Sequence, residues 1–269
     1  MIYQADSTVL VNQKIGEGCF KLNLSCPPIA QESRPGHFIH IQVNPYYFPL
    51  LRRAFSIYDT DGKDTIQVVF KVVGSGTYLL SQKQPGDQMD LLGPLGNNFA
   101  ELESDEIGIM LAGGLGIVPV YFYAKELIKS NAGSRIYFLY GAKNRSELYC
   151  RNDTDRLKIR LFYSTDDGSF GFKGYLTQLL EEVIAKEKLP VSKIKIYACG
   201  PESMLARLSD YAVSNNLFCE LSLEVGMPCG MGTCMGCVVK CQPDKNQGVS
   251  YKRVCREGPI FKAGEVVFD

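Results

Sequence analysis

The chain has 269 residues, 45% hydrophobic and 22% charged, which is the composition of a globular protein rather than a disordered or fibrous one. That length is enough for two or three units with separate cores. Twenty-nine basic residues balance twenty-nine acidic ones, so no charge excess points to nucleic acid or an anionic membrane as a partner.

The opening stretch, MIYQADSTVLVNQKIGEG, lacks the basic start and apolar run of a signal peptide, so a cytoplasmic location is expected. In that compartment the ten cysteines are expected to be reduced thiols or metal ligands rather than a disulfide framework.

From residue 1 to about 100 the pattern is a series of short alternating runs. STVLVNQKI, FKLNLSC, HFIHIQV, AFSIYD, TIQVVFKVV and DQMDLLGPLG are separated by turns such as RPG and QPGD. This spacing predicts an antiparallel barrel or sandwich. TYLLSQK, after GSG, is expected to be a short helix opened by glycine.

Beyond residue 104 strands alternate with helices. EIGIMLAGG, RIYFLYGA, LKIRLFYS, KIKIYACG and CELSLE are predicted strands, and VPVYFYAKELIKS, GYLTQLLEEVIAKEKL and SMLARLSDYAVSNN are predicted helices. This order predicts a doubly wound α/β parallel sheet. The uncharged stretch 107–124 reaches the length of a membrane span, but its glycines and Pro119 suit a buried strand, a tight turn and a helix start better. From about 225 onward glycine, cysteine and short strands replace the helical period. The division expected is 1–100, 101–222 and 223–269.

Five motifs carry chemistry. RRAFS places Arg53, Ala54, Phe55 and Ser56 on a strand, where a forked guanidinium suits a pyrophosphate. GSGT, with Gly74, Gly76 and Thr77, opens a helix whose free N–H groups suit the same anion. Each alone is equally an exposed strand charge or a helix cap. LAGGLGIVP sets Gly113, Gly114 and Gly116 at the carboxyl end of a strand, the usual ligand crevice of an open α/β sheet. ACGPESM sets Cys199, Gly200 and Pro201 in a similar position, although Cys199 is equally a small buried residue.

The fifth motif is CGMGTCMGCVVKC, residues 229–241. Val238 and Val239 favour extended chain, which sets Cys237 and Cys241 about 13 Å apart at ~3.3 Å per residue, too far for one compact site; in a helix the two would lie one turn apart and both could ligate, so the choice rests on the strand. Cys255, in YKRVCREGPIF, is expected on a partner strand that returns to the site. The ligand set is then Cys229, Cys234, Cys237 and Cys255. Its C-x4-C-x2-C…C spacing is that of plant-type [2Fe–2S] ferredoxins. Zinc, the alternative, favours two C-x2-C pairs, and only Cys234 and Cys237 make one. His37 and His40 are expected to be structural, and two histidines are few for histidine-based hydrolysis.

The succession R-x-F-S, G-x-G-T, G-G-L-G, C-G-P and C-x4-C-x2-C…C resembles the ferredoxin-reductase superfamily over almost the whole chain. Within it, GPLGNNF (93–99), SLEVGMPCGMGTCMGC (222–237) and VCREGPIF (254–261) resemble the electron transfer subunits of bacterial dihydroorotate dehydrogenase B. The resemblance implies three domains: an antiparallel β-barrel binding FAD, an α/β doubly wound parallel-sheet domain binding NAD, and a small C-terminal β/loop domain binding [2Fe–2S]. It implies that Arg53 binds FAD phosphate, Phe55 borders the flavin and Ser56 approaches its reactive nitrogen, with Gly76 and Thr77 at the pyrophosphate. It places Gly113, Gly114 and Gly116 in the dinucleotide turn, and Cys199, Gly200 and Pro201 by the nicotinamide. The implied partner is an FMN-containing dihydroorotate dehydrogenase catalytic subunit, in a heterotetramer with two copies of each.

Departures from the family pattern are Phe55 for a common tyrosine, Ala112 for a turn glycine, Pro228 for a small residue, and a long gap before Cys255. A diaphorase subunit of another redox complex, such as a hydrogenase, and an iron–sulfur regulatory module are the alternative functions. Lys143, Asn144 and Arg145 follow a strand where a cation can meet a 2′-phosphate, so NAD against NADP stays open.

Overall fold

The structure is a computed structural model, and it describes every residue except 47, 131, 244–247, 249 and 269, and the backbone alone at 134. Part of the long gap between Cys237 and Cys255 therefore lies outside the described residues.

The N-terminal third forms seven strands: β1 (Tyr3–Gly16), β2 (Cys19–Ser25), β3 (Phe38–Ile41), β4 (Arg53–Ser56), β5 (Asp59–Thr60), β6 (Thr65–Lys71) and β7 (Gln88–Leu95). Their spatial order is β4-β3-β7-β1-β2-β6-β5, antiparallel at each pairing. The end strands β4 and β5 do not pair with each other, so the sheet curls into a half-barrel. Alternation decides which face is inside: Leu22 and Leu24 of β2, and Ile66, Val68 and Phe70 of β6, are buried against Ile39, Ile41 and Leu91. Each such side chain contributes about 1.5–3 kcal/mol.

Helix α1 (Pro27–Glu32) and helix α2 (Ser75–Ser81) attach to this sheet. Sequence periodicity missed α1 because six residues are too short to show a helical period, although Pro27 and Pro28 at its start suit a first helical turn. The predicted strand AFSIYD is divided in the structure, with Ile57 and Tyr58 between β4 and β5.

The middle of the chain forms a second sheet from β8 (Ile107–Gly113), β9 (Ile136–Ala142), β10 (Arg160–Thr165), β11 (Phe172–Lys173), β12 (Ile194–Cys199) and β13 (Phe218–Ser222). These six are parallel and run in the order β11-β10-β9-β8-β12-β13. The chain order reverses between β8 and β12, which makes their carboxyl ends the topological switch point. The connecting helices are α3 (Ile117–Lys129), the short α4 (Arg151–Thr154), α5 (Leu176–Lys186) and α6 (Glu202–Ser214).

Helix α3 explains the uncharged stretch. It buries every residue from Ile117 to Ala124, because it packs between its own sheet and the half-barrel. Phe122 joins the half-barrel core, Tyr121 stacks on Tyr58 at 4.4 Å between centroids, and Lys125 pairs with Asp59. Among the described residues no helix is long and apolar enough to cross a membrane.

The C-terminal segment makes a hairpin of β14 (Val238–Cys241) and β15 (Ser250–Arg253), then β16 (Ile260–Lys262), which adds antiparallel to β13 at the edge of the second sheet. Asn97 clamps this segment to the half-barrel. Its side chain donates to the carbonyls of Glu257 (3.2 Å) and Ile260 (2.9 Å) and accepts from the Ile260 N–H (2.9 Å). GPLGNNF thus serves as a joint between segments.

Candidate functional site

Two of the sequence motifs, twenty residues apart, meet in space. A Cβ built on Gly76 would lie 2.8 Å from Nε of Arg53, so the guanidinium lies directly over the glycine of the α2 start. Arg53 is further held by Nη1 donating to the Leu51 carbonyl at 2.6 Å. Thr77 Oγ1 accepts from the backbone N–H of Val73 (2.9 Å) and Gly74 (3.2 Å), tying the turn to the helix. Arg53, Ala54, Phe55, Ser56 and Thr77 line one cleft of about 440 Å³. Gly74 is exposed and Gly76 is buried beneath Arg53; neither lines the cleft. The far wall comes from elsewhere in the chain: Leu115 and Val118 from the glycine turn and α3, and Leu223 to Met227 from the segment leading to Cys229.

The second pair of motifs meets at the switch point. A Cβ on Gly116 would lie 2.2 Å from the carbonyl oxygen of Cys199 and 2.5 Å from the N of Gly200. Both contacts are backbone, so only glycine allows this approach. Gly113, Gly114 and Pro201 line a second cleft of about 330 Å³, with Lys143, Glu147, Asp166 and Arg207 at its polar wall. Gly116 therefore supports the turn rather than facing the cleft. Cys199 is fully buried and lines neither cleft.

The thiol of Cys199 instead points to Glu224, with Sγ donating to Oε1 at 3.8 Å. Glu224 belongs to the first cleft and is exposed as a residue, yet the protein crowded around its carboxyl pushes its pKa up. No motif singled out Glu224. The only sequence signal was its place in SLEVGMPCG, just before the cysteines.

The cysteines come together as two pairs. Cys234 lies close enough to Cys229 to act on its thiol, and the Cys255 N–H donates to Cys237 Sγ at 3.4 Å. Burial acts to raise the Cys229 thiol pKa, but hydrogen bonds from Thr233, Cys234 and Met231 outweigh it and hold the value down to about 5. Burial, with Cys237 beside it, pushes Cys255 up to about 12. Among the described residues no three His, Cys, Asp or Glu side chains stand together in metal-holding geometry. What fits an iron–sulfur cluster is the donor chemistry, two pairs of thiols, and the tight backbone around them. Gly230 has φ +69° and Gly232 φ +83°, where a side chain is strained.

Arg253 fixes this loop against the Cys255 turn. It donates to the Gly232 carbonyl at 2.7 Å and pairs with Glu257 at 2.5 Å. That i,i+4 pair closes a turn, with the Glu257 N–H on the Arg253 carbonyl at 2.9 Å. The expectation that Cys255 lies on a strand is corrected here: β15 ends at Arg253 and Cys255 sits in the turn that follows. Cys241 is buried in β14, opposite Ser250 and bridged to Val266, with Glu265 and Lys252 as its charged neighbours.

His40 is fully buried on β3 opposite Ala54, and burial, assisted by the charge of Arg52, pushes its pKa down to about 4. His37 precedes that strand, and its Nδ1 accepts from the Arg34 N–H at 3.1 Å.

Comparison with known proteins agrees with this arrangement. Residues 224–267 match the iron-sulfur cluster binding domain of dihydroorotate dehydrogenase B, and residues 110–210 match an oxidoreductase NAD-binding domain. The electron transfer subunit of dihydroorotate dehydrogenase B (NAD(+)) from Geobacillus thermodenitrificans is 36% identical over 99% of this chain and 100% of its own length. The corresponding subunit from Desulforamulus reducens is 33% identical over 98% of both chains. Among solved structures, an NADH-dependent reduced ferredoxin-NADP oxidoreductase superposes with a TM-score of 0.82 at 29% identity, covering 98% of this chain and 91% of that one. The ferredoxin reductase in carbazole 1,9a-dioxygenase shares the fold, with a TM-score of 0.68 at 18% identity over 80% of this chain and 67% of that one. With such relatives aligned end to end over two sheets and a cysteine loop of this kind, the chain belongs to the family of electron transfer subunits of NAD(+)-dependent dihydroorotate dehydrogenase B.

Proposed function

We propose that this chain takes electrons released by dihydroorotate oxidation on a partner subunit and delivers them to NAD⁺. The partner is an FMN-containing catalytic subunit, the assembly holds two copies of each chain, and it works in the cytoplasm. Residues 1–100 hold FAD, 101–222 hold NAD and 223–269 hold [2Fe–2S].

One observation carries this reading: a single cleft is walled by the R-x-F-S strand, by Leu115 of the dinucleotide turn, and by residues 223–227, two residues short of Cys229. Three motifs thus open onto one space, as a two-electron to one-electron relay requires. A flavin bound there exchanges hydride with nicotinamide and single electrons with an iron–sulfur cluster.

The protein supplies binding and alignment. Arg53 and the Gly74–Thr77 turn hold the flavin pyrophosphate, and Ala54, Phe55 and Ser56 line its ring. Gly113, Gly114 and Pro201 bring NAD to the switch point, while Gly116, Cys199 and Gly200 lock that turn in place. Cys229, Cys234, Cys237 and Cys255 ligate the cluster. No residue of this chain acts as acid or base on dihydroorotate.

Co-purification with the native partner, followed by a dihydroorotate-to-NAD⁺ assay, tests partner, substrate and direction together. The expected result is activity in the complex, and only NADH oxidation with artificial acceptors by the isolated chain. Recovery of a hydrogenase subunit instead would sink the assignment. NADH is expected to reduce the isolated chain faster than NADPH.

A further inference from the structure

His40 is buried with both ring nitrogens, Nδ1 and Nε2, lacking a hydrogen-bond partner among the described residues. Unpaired buried nitrogens cost about 1–3 kcal/mol each, so such a group calls for an explanation. Its neighbours on the sheet offer none: Ala54 and Leu92 face it from adjacent strands, and the Phe38 ring lies 5.8 Å away between centroids.

On its remaining side is the cysteine loop. A Cβ on Gly230 would lie 2.6 Å from Cε1 and 2.7 Å from Nε2 of His40. The imidazole is therefore pressed on the backbone directly after Cys229. Ala54, its partner across the strands, lines the first cleft. One side chain thus spans from the wall of the proposed flavin cleft to the cysteine loop, and no other imidazole does so, since His37 pairs locally with Arg34.

We propose that His40 is a positioning residue of the electron path, whose N–H donates a hydrogen bond to the sulfur of the iron–sulfur centre once that centre is bound. This rests on the reading of the four cysteines as cluster ligands. Thiolate and sulfide sulfurs are the acceptors that such a buried donor lacks in the protein itself. A hydrogen bond to sulfur favours the reduced centre, which carries one more negative charge, and therefore raises its reduction potential. The same contact fixes the distance between the cysteine loop and the strand carrying Arg53 to Ser56.

The chain holds two histidines, so uniform ¹⁵N-histidine labelling marks only His37 and His40. In a complex assembled from the labelled chain and an unlabelled partner, pulsed electron paramagnetic resonance of the reduced centre is expected to show a ¹⁵N coupling that survives His37→Gln and vanishes in His40→Leu. A redox titration of His40→Leu is expected to shift the one-electron equilibrium about tenfold toward the oxidised centre, about 59 mV lower. His40→Gln or His40→Asn, which keep a donor, should recover part of that shift. A merely space-filling histidine predicts no ¹⁵N coupling and an unchanged potential, and that result overturns the proposal even if no variant folds, because the labelling arm uses the native chain. Absence of any [2Fe–2S] signal from the native complex would overturn the ligand assignment as well, which separates the two failures.

Discussion

The guanidinium of Arg53 covers Gly76, with Nε 2.8 Å from where a Cβ on that glycine would lie. Strand β4 and the start of α2 therefore meet with only the Arg53 side chain between them, and a cation stands over the first turn of the helix. Arg53→Ala is expected to weaken flavin retention by about ten- to a hundredfold, the loss of a charge-assisted bond of about 1.5–3 kcal/mol. Flavin absorbance after gel filtration measures it. Gly76→Ala should cost less, because the far end of a flexible arginine can move aside.

Gly116 offers the contrast. Its neighbours are the carbonyl of Cys199 and the N of Gly200, and backbone at the end of a central strand cannot yield as a flexible side chain can. Gly116→Ala is expected to destabilise the fold by about 1–3 kcal/mol through overpacking and to raise the KM for NADH at least tenfold. Urea unfolding and steady-state kinetics check the two effects. An unaltered KM would mean that the turn does not position the dinucleotide.

Cys255 and Cys241 lie on opposite sides of the ligand assignment. Cys255→Ser is expected to abolish the [2Fe–2S] absorption, whereas Cys241→Ser should leave it intact. Because Cys241 is buried, its serine variant should still cost about 1–2 kcal/mol of stability, the penalty for placing a hydroxyl among apolar neighbours. A spectrum lost with Cys241 and kept without Cys255 would reverse the assignment.

Acid should weaken the apo-protein through its histidines. His40 and His37 are held down to about 4, both mainly by burial, with Arg52 and Arg34 respectively adding to it. Between about pH 6.5 and 4 the unfolded chain binds protons that the folded chain refuses, so stability is full at pH 7 and falls as pH falls through this window. For the fully buried His40 the loss is of the order of 2–3 kcal/mol by pH 4. Urea midpoints at pH 7 and 5 should converge in His40→Leu relative to the native chain. Equal spacing would indicate that this histidine is not the group responsible.

Much of the architecture was legible from local pattern. Two-residue alternation in FKLNLSC and TIQVVFKVV marks half-buried strands, and the change to strand–helix alternation after residue 104 marks the second sheet. α1, α4 and β11 were not legible, since elements of two to six residues carry no period. β16 was illegible for another reason: it completes the parallel sheet from the far end of the chain, a partnership that local sequence does not encode.

The site divides in the same way. The strand at Val238–Cys241, which sets Cys241 apart from the proposed ligands Cys229, Cys234, Cys237 and Cys255, was legible because it follows from β-branched residues. Spacing could not place Cys255 on a turn, since the Arg253–Glu257 pair that makes the turn depends on side-chain geometry. Nor could it find Glu224 beside Cys199, or His40 beneath Gly230. Those contacts join residues 25 and 190 positions apart, and burial gives them their chemistry. Sequence by itself determined which groups exist and which local backbone carries them. Tertiary packing decided which of them share a cleft, because desolvation and apposition arise only where distant segments exclude water together.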